Sequence, residues 1–401
     1  MKLDFNGIIY ALSYALDAVE AELVGVQTGH GKWVAYLAAL LGKGFGMEER
    51  ELSDLAACAA LHDNALTQYI SEEKNVSEIN LLHAGKHCIL GQENIRFFPF
   101  HTNVSGVILY HHENADGSGY FHKKAAEVPL MAQLIHFADM LDVVCQVQNI
   151  SEETYQKMTD YIEKKRDRFF DGKIVDMFYQ VMPQDTYLKL QGREIEELLQ
   201  QELPRVITEI SFDEIKRIME VFAKIVDYKS SFTRKHSQQI ALKLLQMADY
   251  YDYEKELKER LFVAGALHDI GKMAIDNDIL EKPEKLTDTE FAYMQNHAWL
   301  TYVILSRIRG FEDITRWASR HHEKLNGKGY PFGLYAEDLD EKERLVACID
   351  IYQALSEDRP YKPGMSHEEC ITIMRDMVQK GFIDGKITED VNLVFGNSFE
   401  K

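Results

Sequence analysis

An adjacent His-Asp pair in an apolar setting occurs twice in this chain, as "ALHDNAL" (60–66) and "ALHDIGK" (266–272). The residues around each pair follow one plan. His30 and His236 stand 32 residues before the pairs His62-Asp63 and His268-Asp269. A lone His follows at 87 and 297, and 24 residues later comes His-His-Glu, at 111–113 and 321–323. Next are "ADGSGYF" and "LNGKGYP", an aspartate in an apolar run (Asp139, Asp350), and "FDGKIV" (170–175) against "IDGKIT" (383–388). The offset between partners grows only from 206 to 213 residues, and ten of the fifteen histidines sit on paired positions. Spacing kept over such a length means two copies of one structural unit.

The periodicity within each copy is helical. Ile218, Met219, Val221, Phe222, Ile225 and Val226 recur at helical spacing, as do Trp33, Leu37, Leu40 and Leu41, while period-two runs are absent. The expected fold is all-α, with two tandem helical domains at 1–181 and 210–401. A polar, partly helical connector at 182–209 is expected to join them. The 401 residues suffice for two cores.

Charge and cysteine usage narrow the function classes. Lys and Arg number 45 against 65 Asp and Glu, a net −20, which disfavours a nucleic-acid polymer as partner. Five scattered cysteines without a CxxC spacing, and an acidic N-terminus unlike a signal peptide, point to reduced thiols and a cytoplasmic setting. The longest uncharged run, Phe97–His112, contains Pro99 and three histidines, so no membrane association is expected.

In the second copy His236, His268, Asp269, His297, His321, His322 and Asp350 are seven potential metal ligands. Imidazole mixed with carboxylate suits borderline divalent cations. A closed structural zinc site needs four donors and favours thiolate, and no cysteine shares the repeated pattern. Seven donors without sulfur imply two metals, the arrangement that activates water and clamps an in-line displacement at phosphorus. "GKGYP" (327–331) reads as a loop, with glycines for unusual dihedrals and proline to stiffen its exit.

"HDIGK", the lone His, "HHEKLNGKGYP" and "CIDIYQALSEDRPYK" together closely resemble the HD-GYP family of bacterial cyclic-dinucleotide phosphodiesterases, over nearly all of residues 212–401. The resemblance implies a helical, metal-dependent hydrolase holding two divalent ions, iron or manganese. His236, His268, Asp269 and Asp350 would hold one ion; Asp269, His297, His321 and His322 would hold the other. A metal-bridging hydroxide would open cyclic di-GMP to linear pGpG, and onward to GMP, with Asp269 and Lys272 as catalytic residues. Lys272, Arg359 and Lys362 would bind the substrate phosphates, while Gly329, Tyr330 and Pro331 are the family's signature loop. Some members carry a carboxylate one turn before the first His, for a third metal; Phe232 stands there, so two metals are expected. Gln353 replaces an aspartate common three residues after the last ligand. Three alternatives stay open: cyclic GMP-AMP as substrate, another HD-type nucleotide phosphohydrolase, or a non-enzymatic ligand-binding signalling protein.

The first copy keeps a full ligand set, His30, His62, Asp63, His87, His111, His112 and Asp139, as a second candidate metal site. Its substrate-handling positions have changed. Leu66 stands for the lysine, Gln148 and Ser151 for Arg359 and Lys362, and Phe121 for the signature proline. It reads as a degenerate HD-GYP domain, either metal-bound and regulatory, purely structural, or an enzyme of altered substrate. Unpaired buried histidines and aspartates are costly, which favours retained metal. A homodimer and signalling-protein partners are further expectations.

Overall fold

The computed structural model describes residues 2–24, 29–66, 68–69, 85–203, 206–229, 236–280, 282, 284–358 and 363–396. Two compact units meet in sequence at Glu209 and Ile210.

The first unit opens with β1 (Lys2–Asp4) and α1 (Phe5–Val24), followed by α2 (His30–Gly44), α3 (Glu49–Ala60), α4 (Gly85–Asn94), α5 (Leu130–Cys145), α6 (Glu152–Lys165) and α7 (Gly172–Val181). α2 is the central helix. Trp33, Val34, Leu37 and Leu41 bury one side against α3 and α5, while Ala35, Ala38 and Ala39 allow close approach elsewhere. Residues 182–209, expected as a connector, carry α8 (Gln184–Leu188), α9 (Ile195–Glu202) and β2 (Ile207–Glu209). They fold into this unit. α9 buries Leu198 and Leu199 and packs on α2, with Glu196 Oε1 2.6 Å from Lys32 Nζ. β2 pairs antiparallel with β1, Lys2 opposite Glu209, a three-residue ribbon in an otherwise helical unit.

The second unit repeats the plan with α10 (Phe212–Lys229), α11 (His236–Tyr250), α12 (Lys255–Leu267), α13 (Asn277–Leu280), α14 (Asp288–Leu305), α15 (Glu312–Ser319), α16 (Glu341–Ser356), α17 (His367–Gln379) and α18 (Gly385–Gly396). Starts are locally encoded. Thr287 with Glu290 and Asp340 with Glu343 form capping boxes that satisfy orphan amides of α14 and α16. α11 and α12 cross closely because Gly265 presents no side chain: a Cβ there would lie 2.6 Å from Leu244 Cδ1 and 3.0 Å from Ala241 Cα. That crossing brings His236, the first residue of α11, towards His268 at the end of α12. Among the described residues no helix is long and apolar enough to cross a membrane.

Candidate metal centre

In the second unit five imidazoles and two carboxylates converge from α11, the α12 terminus, α14, the turn after α15, and α16. His236 Nε2 is 3.2 Å and His268 Nε2 3.9 Å from Asp350 Oδ1. On the other side His297 Nε2 is 3.5 Å and His321 Nε2 3.8 Å from Asp269 Oδ1. Asp269 Oδ2 lies 3.1 Å from His268 Nε2, so this carboxylate stands between the two groups. His322 Nδ1 lies 3.9 Å from Asp350 Oδ2. Among the described residues three overlapping groups result that could hold a cation: His236, His268 and Asp350; His297, His321 and His322; and, between them, His268, Asp269 and His321.

Local backbone aims the rings. His268, His297 and His321 each set Nδ1 within 2.6–2.8 Å of the carbonyl three residues earlier, on Gly265, Met294 and Ala318. A carbonyl can only accept, so Nδ1 carries the proton and Nε2 presents its lone pair inward. The result is a set of inward-facing buried donors, of which His268 Nε2 and Asp269 Oδ1 have no hydrogen-bond partner. Buried polar atoms are rarely left so. This donor chemistry fits divalent cations.

The charge states suit the same reading. Burial pushes His297 down to about 3 and holds His321 and His322 below the ordinary imidazole range, so all three are neutral donors. Burial alone would raise Asp269, but His268 and Lys272 hold it well below the usual carboxylate range. For His236 burial is outweighed by hydrogen bonds to Asp350 and Glu357, which raise it to about 9. A cation at that ring must displace a proton.

Lys272 Nζ lies 2.5 Å from Asp269 Oδ2, at the rim of the cluster. It is placed by a tight turn, because Gly271 packs against the backbone of α14: a Cβ there would lie 2.0 Å from the His297 carbonyl oxygen. The Gly329-Tyr330-Pro331 loop folds over His322, with the Tyr330 ring centroid 4.8 Å from that imidazole. Glu323, third residue of His-His-Glu, holds the loop by accepting from the amides of Phe332, Gly333 and Leu334. Arg359, Lys362 and Phe232 lie outside the described residues.

The first unit reproduces the centre. His30 Nε2 and His62 Nε2 lie 3.3 and 3.7 Å from Asp139 Oδ1; His87 Nε2 and His111 Nε2 lie 3.3 and 3.5 Å from Asp63 Oδ1. His112 Nδ1 is 3.9 Å from Asp139 Oδ2. His62 and His111 are again turned by carbonyls three residues back, and His62 Nε2, Asp63 Oδ1 and His111 Nε2 have no hydrogen-bond partner. Leu66 is buried where Lys272 stands in the other unit, and Ser151 caps α6 by accepting from the Thr154 amide.

Three features escape the sequence pattern. Glu357 hydrogen-bonds His236, while Gln353 occupies the position where the family resemblance implies an aspartate. Glu113, like Glu323, accepts from loop amides, those of Phe121 and Lys123; the repeat of His-His-Glu was the available signal. Cys88 stands with His87, His111 and His112, a donor outside the duplicated pattern. Its neighbour in sequence is the lone His87, but its counterpart is Ala298, so comparing the copies position by position hides it.

Comparison with known proteins agrees with the geometry. The model of the HD domain family matches residues 17–174 and again 220–387. The chain is 27% identical over 394 residues to the 3'3'-cGAMP-specific phosphodiesterase 1 of Vibrio cholerae, covering 96% of this chain and 90% of that protein. It is 36% identical over 146 residues to a cyclic di-GMP phosphodiesterase of Pseudomonas aeruginosa, covering 36% and 35% of the two chains. A crystal structure of a cyclic GMP-AMP specific phosphodiesterase of V. cholerae superposes with a TM-score of 0.70 at 23% identity, over 99% of this chain and 98% of that one. That last likeness establishes the fold.

Proposed function

The chain belongs to the HD domain family, matched once in each unit, and on that premise we propose that its second unit is a metal-dependent phosphodiesterase that opens a cyclic dinucleotide. The observation that carries this reading is the buried, unpaired donor set around Asp269, with Lys272 Nζ 2.5 Å from the same carboxylate. His236, His268 and Asp350 would hold one cation and His297, His321 and His322 a second, with Asp269 shared. Imidazole and carboxylate without sulfur suit iron(II) or manganese(II). Two such ions, when bound, supply an acidified water and Lewis-acid stabilisation at a phosphoryl group.

The chain's own groups do the rest. The carbonyl-anchored rings of His268, His297 and His321 keep their lone pairs inward without reorganisation. Lys272 would take a non-bridging phosphate oxygen when it leaves Asp269, or protonate the departing 3′ oxygen. Arg359 and Lys362 would grip phosphate, an arginine fork being suited to it. Tyr330, beside His322, would wall the site.

The substrate reading favours 3'3'-cGAMP. The cGAMP-specific relative aligns through both units, whereas the cyclic di-GMP enzyme of P. aeruginosa aligns over 36% of the chain. This reverses the order expected from motifs alone, and cyclic di-GMP stands second. The test is anaerobic purification, loading with iron(II) or manganese(II), and chromatography of both cyclic dinucleotides, with Asp269→Ala alongside. Loss of cGAMP in the wild type only is the expected result. Turnover of neither, with both positions metal-filled, would overturn the reading.

A further inference from the structure

The two units differ at one position where a donor has been gained. In the second unit three imidazoles, with the shared Asp269 beside them, would hold one cation through nitrogen and oxygen alone. In the first, the ligand atoms of His87, Cys88, His111 and His112 all lie within 4.8 Å of one another. Cys88 Sγ is 3.4 Å from His87 Nε2, close to the edge of about 3.5 Å expected of a tetrahedron with zinc–nitrogen and zinc–sulfur bonds of ordinary length. Ala298 holds the equivalent place in the second unit and offers no donor.

We propose that the first unit carries a closed, sulfur-bearing zinc site formed by His87, Cys88, His111 and His112. The observations behind it are independent of the family. His87, Cys88 and His111 are each at most 1% exposed, so a donor set here is shielded from solvent. His111 Nδ1 is held at 2.6 Å by the Ile108 carbonyl, and its Nε2, fully buried and aimed at the cluster, has no hydrogen-bond partner. Asp63 Oδ1, beside it, has none either. Three imidazoles and one thiolate saturate tetrahedral zinc, and thiolate selects it over the harder ions that suit the second unit.

The chemistry balances simply. Burial and the nearby Asp63 push the free Cys88 thiol up, so without a cation it is protonated. Binding zinc forms the sulfur–metal bond and releases that proton to solvent. A saturated site has no position for a reacting water. Closure by Cys88 and the loss of the lysine to Leu66 therefore point the same way: this centre holds the unit together and does not turn over a phosphodiester.

The experiment needs no turnover, so its outcome is separate from that of the phosphodiesterase reading. Cys58, Cys145, Cys348 and Cys370 stand outside the candidate clusters found among the described residues, which makes a sulfur–metal signal specific to Cys88. The full chain is stripped and loaded with excess cobalt(II). A thiolate-to-cobalt charge-transfer band in the near ultraviolet is expected, lost in Cys88→Ala, which copies Ala298. Zinc-loaded wild type, examined by X-ray absorption, should show a sulfur shell at about 2.3 Å, a readout that stands even if the variant fails to fold. Absence of the band in wild type, its survival in Cys88→Ala, or a zinc spectrum of nitrogen and oxygen neighbours alone would each overturn the proposal.

Discussion

Glu357 Oε2 lies 2.8 Å from His236 Nδ1, and in the other unit Asp142 Oδ2 lies 2.7 Å from His30 Nδ1. The two carboxylates do one job from different places. Asp142 is three residues past Asp139 and Glu357 seven past Asp350, so both continue the face of the helix that bears the inner aspartate. Gln353, at the nearer position, instead accepts from Lys243 Nζ at 2.7 Å. A carboxylate behind a histidine fixes its ring and strengthens its donor nitrogen.

Glu357→Gln should therefore lower metal affinity in the second unit, and kcat/KM with it, by about 10–100-fold. Adding Gln353→Asp should recover much of the loss, because that position serves His30 in the first unit. Metal analysis with steady-state kinetics checks both. Wild-type metal content in Glu357→Gln would refute the supporting role.

Lys272→Leu gives the second unit the residue the first unit has. The expected change is a fall in kcat of roughly 10²–10⁴-fold with metal content retained, since Lys272 touches Asp269 and is itself no metal donor. Single-turnover rates on metal-quantified protein decide it; unchanged kcat would remove Lys272 from the chemistry.

Gly271→Ala probes the turn that places Lys272. The added Cβ would meet backbone of α14, the His297 carbonyl oxygen at 2.0 Å and the Thr301 amide at 2.7 Å. Neither can rotate away, so the helix must move. Overpacking of this kind costs about 1–3 kcal/mol, or about 2–4 °C of Tm per kcal/mol for a unit this size. His297 moves with its helix, so second-unit metal occupancy should fall too. Calorimetry and metal analysis are the measurements.

Metal removal should destabilise both units, because chelation leaves His62, His111 and His268 with buried Nε2 atoms unpartnered. Restoring a cation at 100 times its Kd should return about 2.7 kcal/mol to each folded unit it binds. In Asp269→Ala only the first unit's transition should still respond. Scanning calorimetry with and without chelator separates the two; a scan indifferent to metal would argue against cations in either centre.

The sequence by itself determined the duplication, the helical class and the residues that converge. The reason is that these depend on short-range physics. Helical periodicity, capping boxes and the ring-to-carbonyl bonds of His268, His297 and His321 all act within three or four residues, so spacing along the chain reports them directly. The tertiary structure alone decided which carboxylate backs His236, that Cys88 reaches the imidazoles of His111 and His112, and that Ile195–Glu202 folds onto α2 through Lys32 and Glu196. Those contacts join side chains up to 164 residues apart, and they exist only where two packed helices present rotamers at hydrogen-bonding or coordinating distance. A Gln at 353 and an Ala at 298 are unremarkable letters in the sequence; their meaning comes from what the neighbouring helix places opposite them.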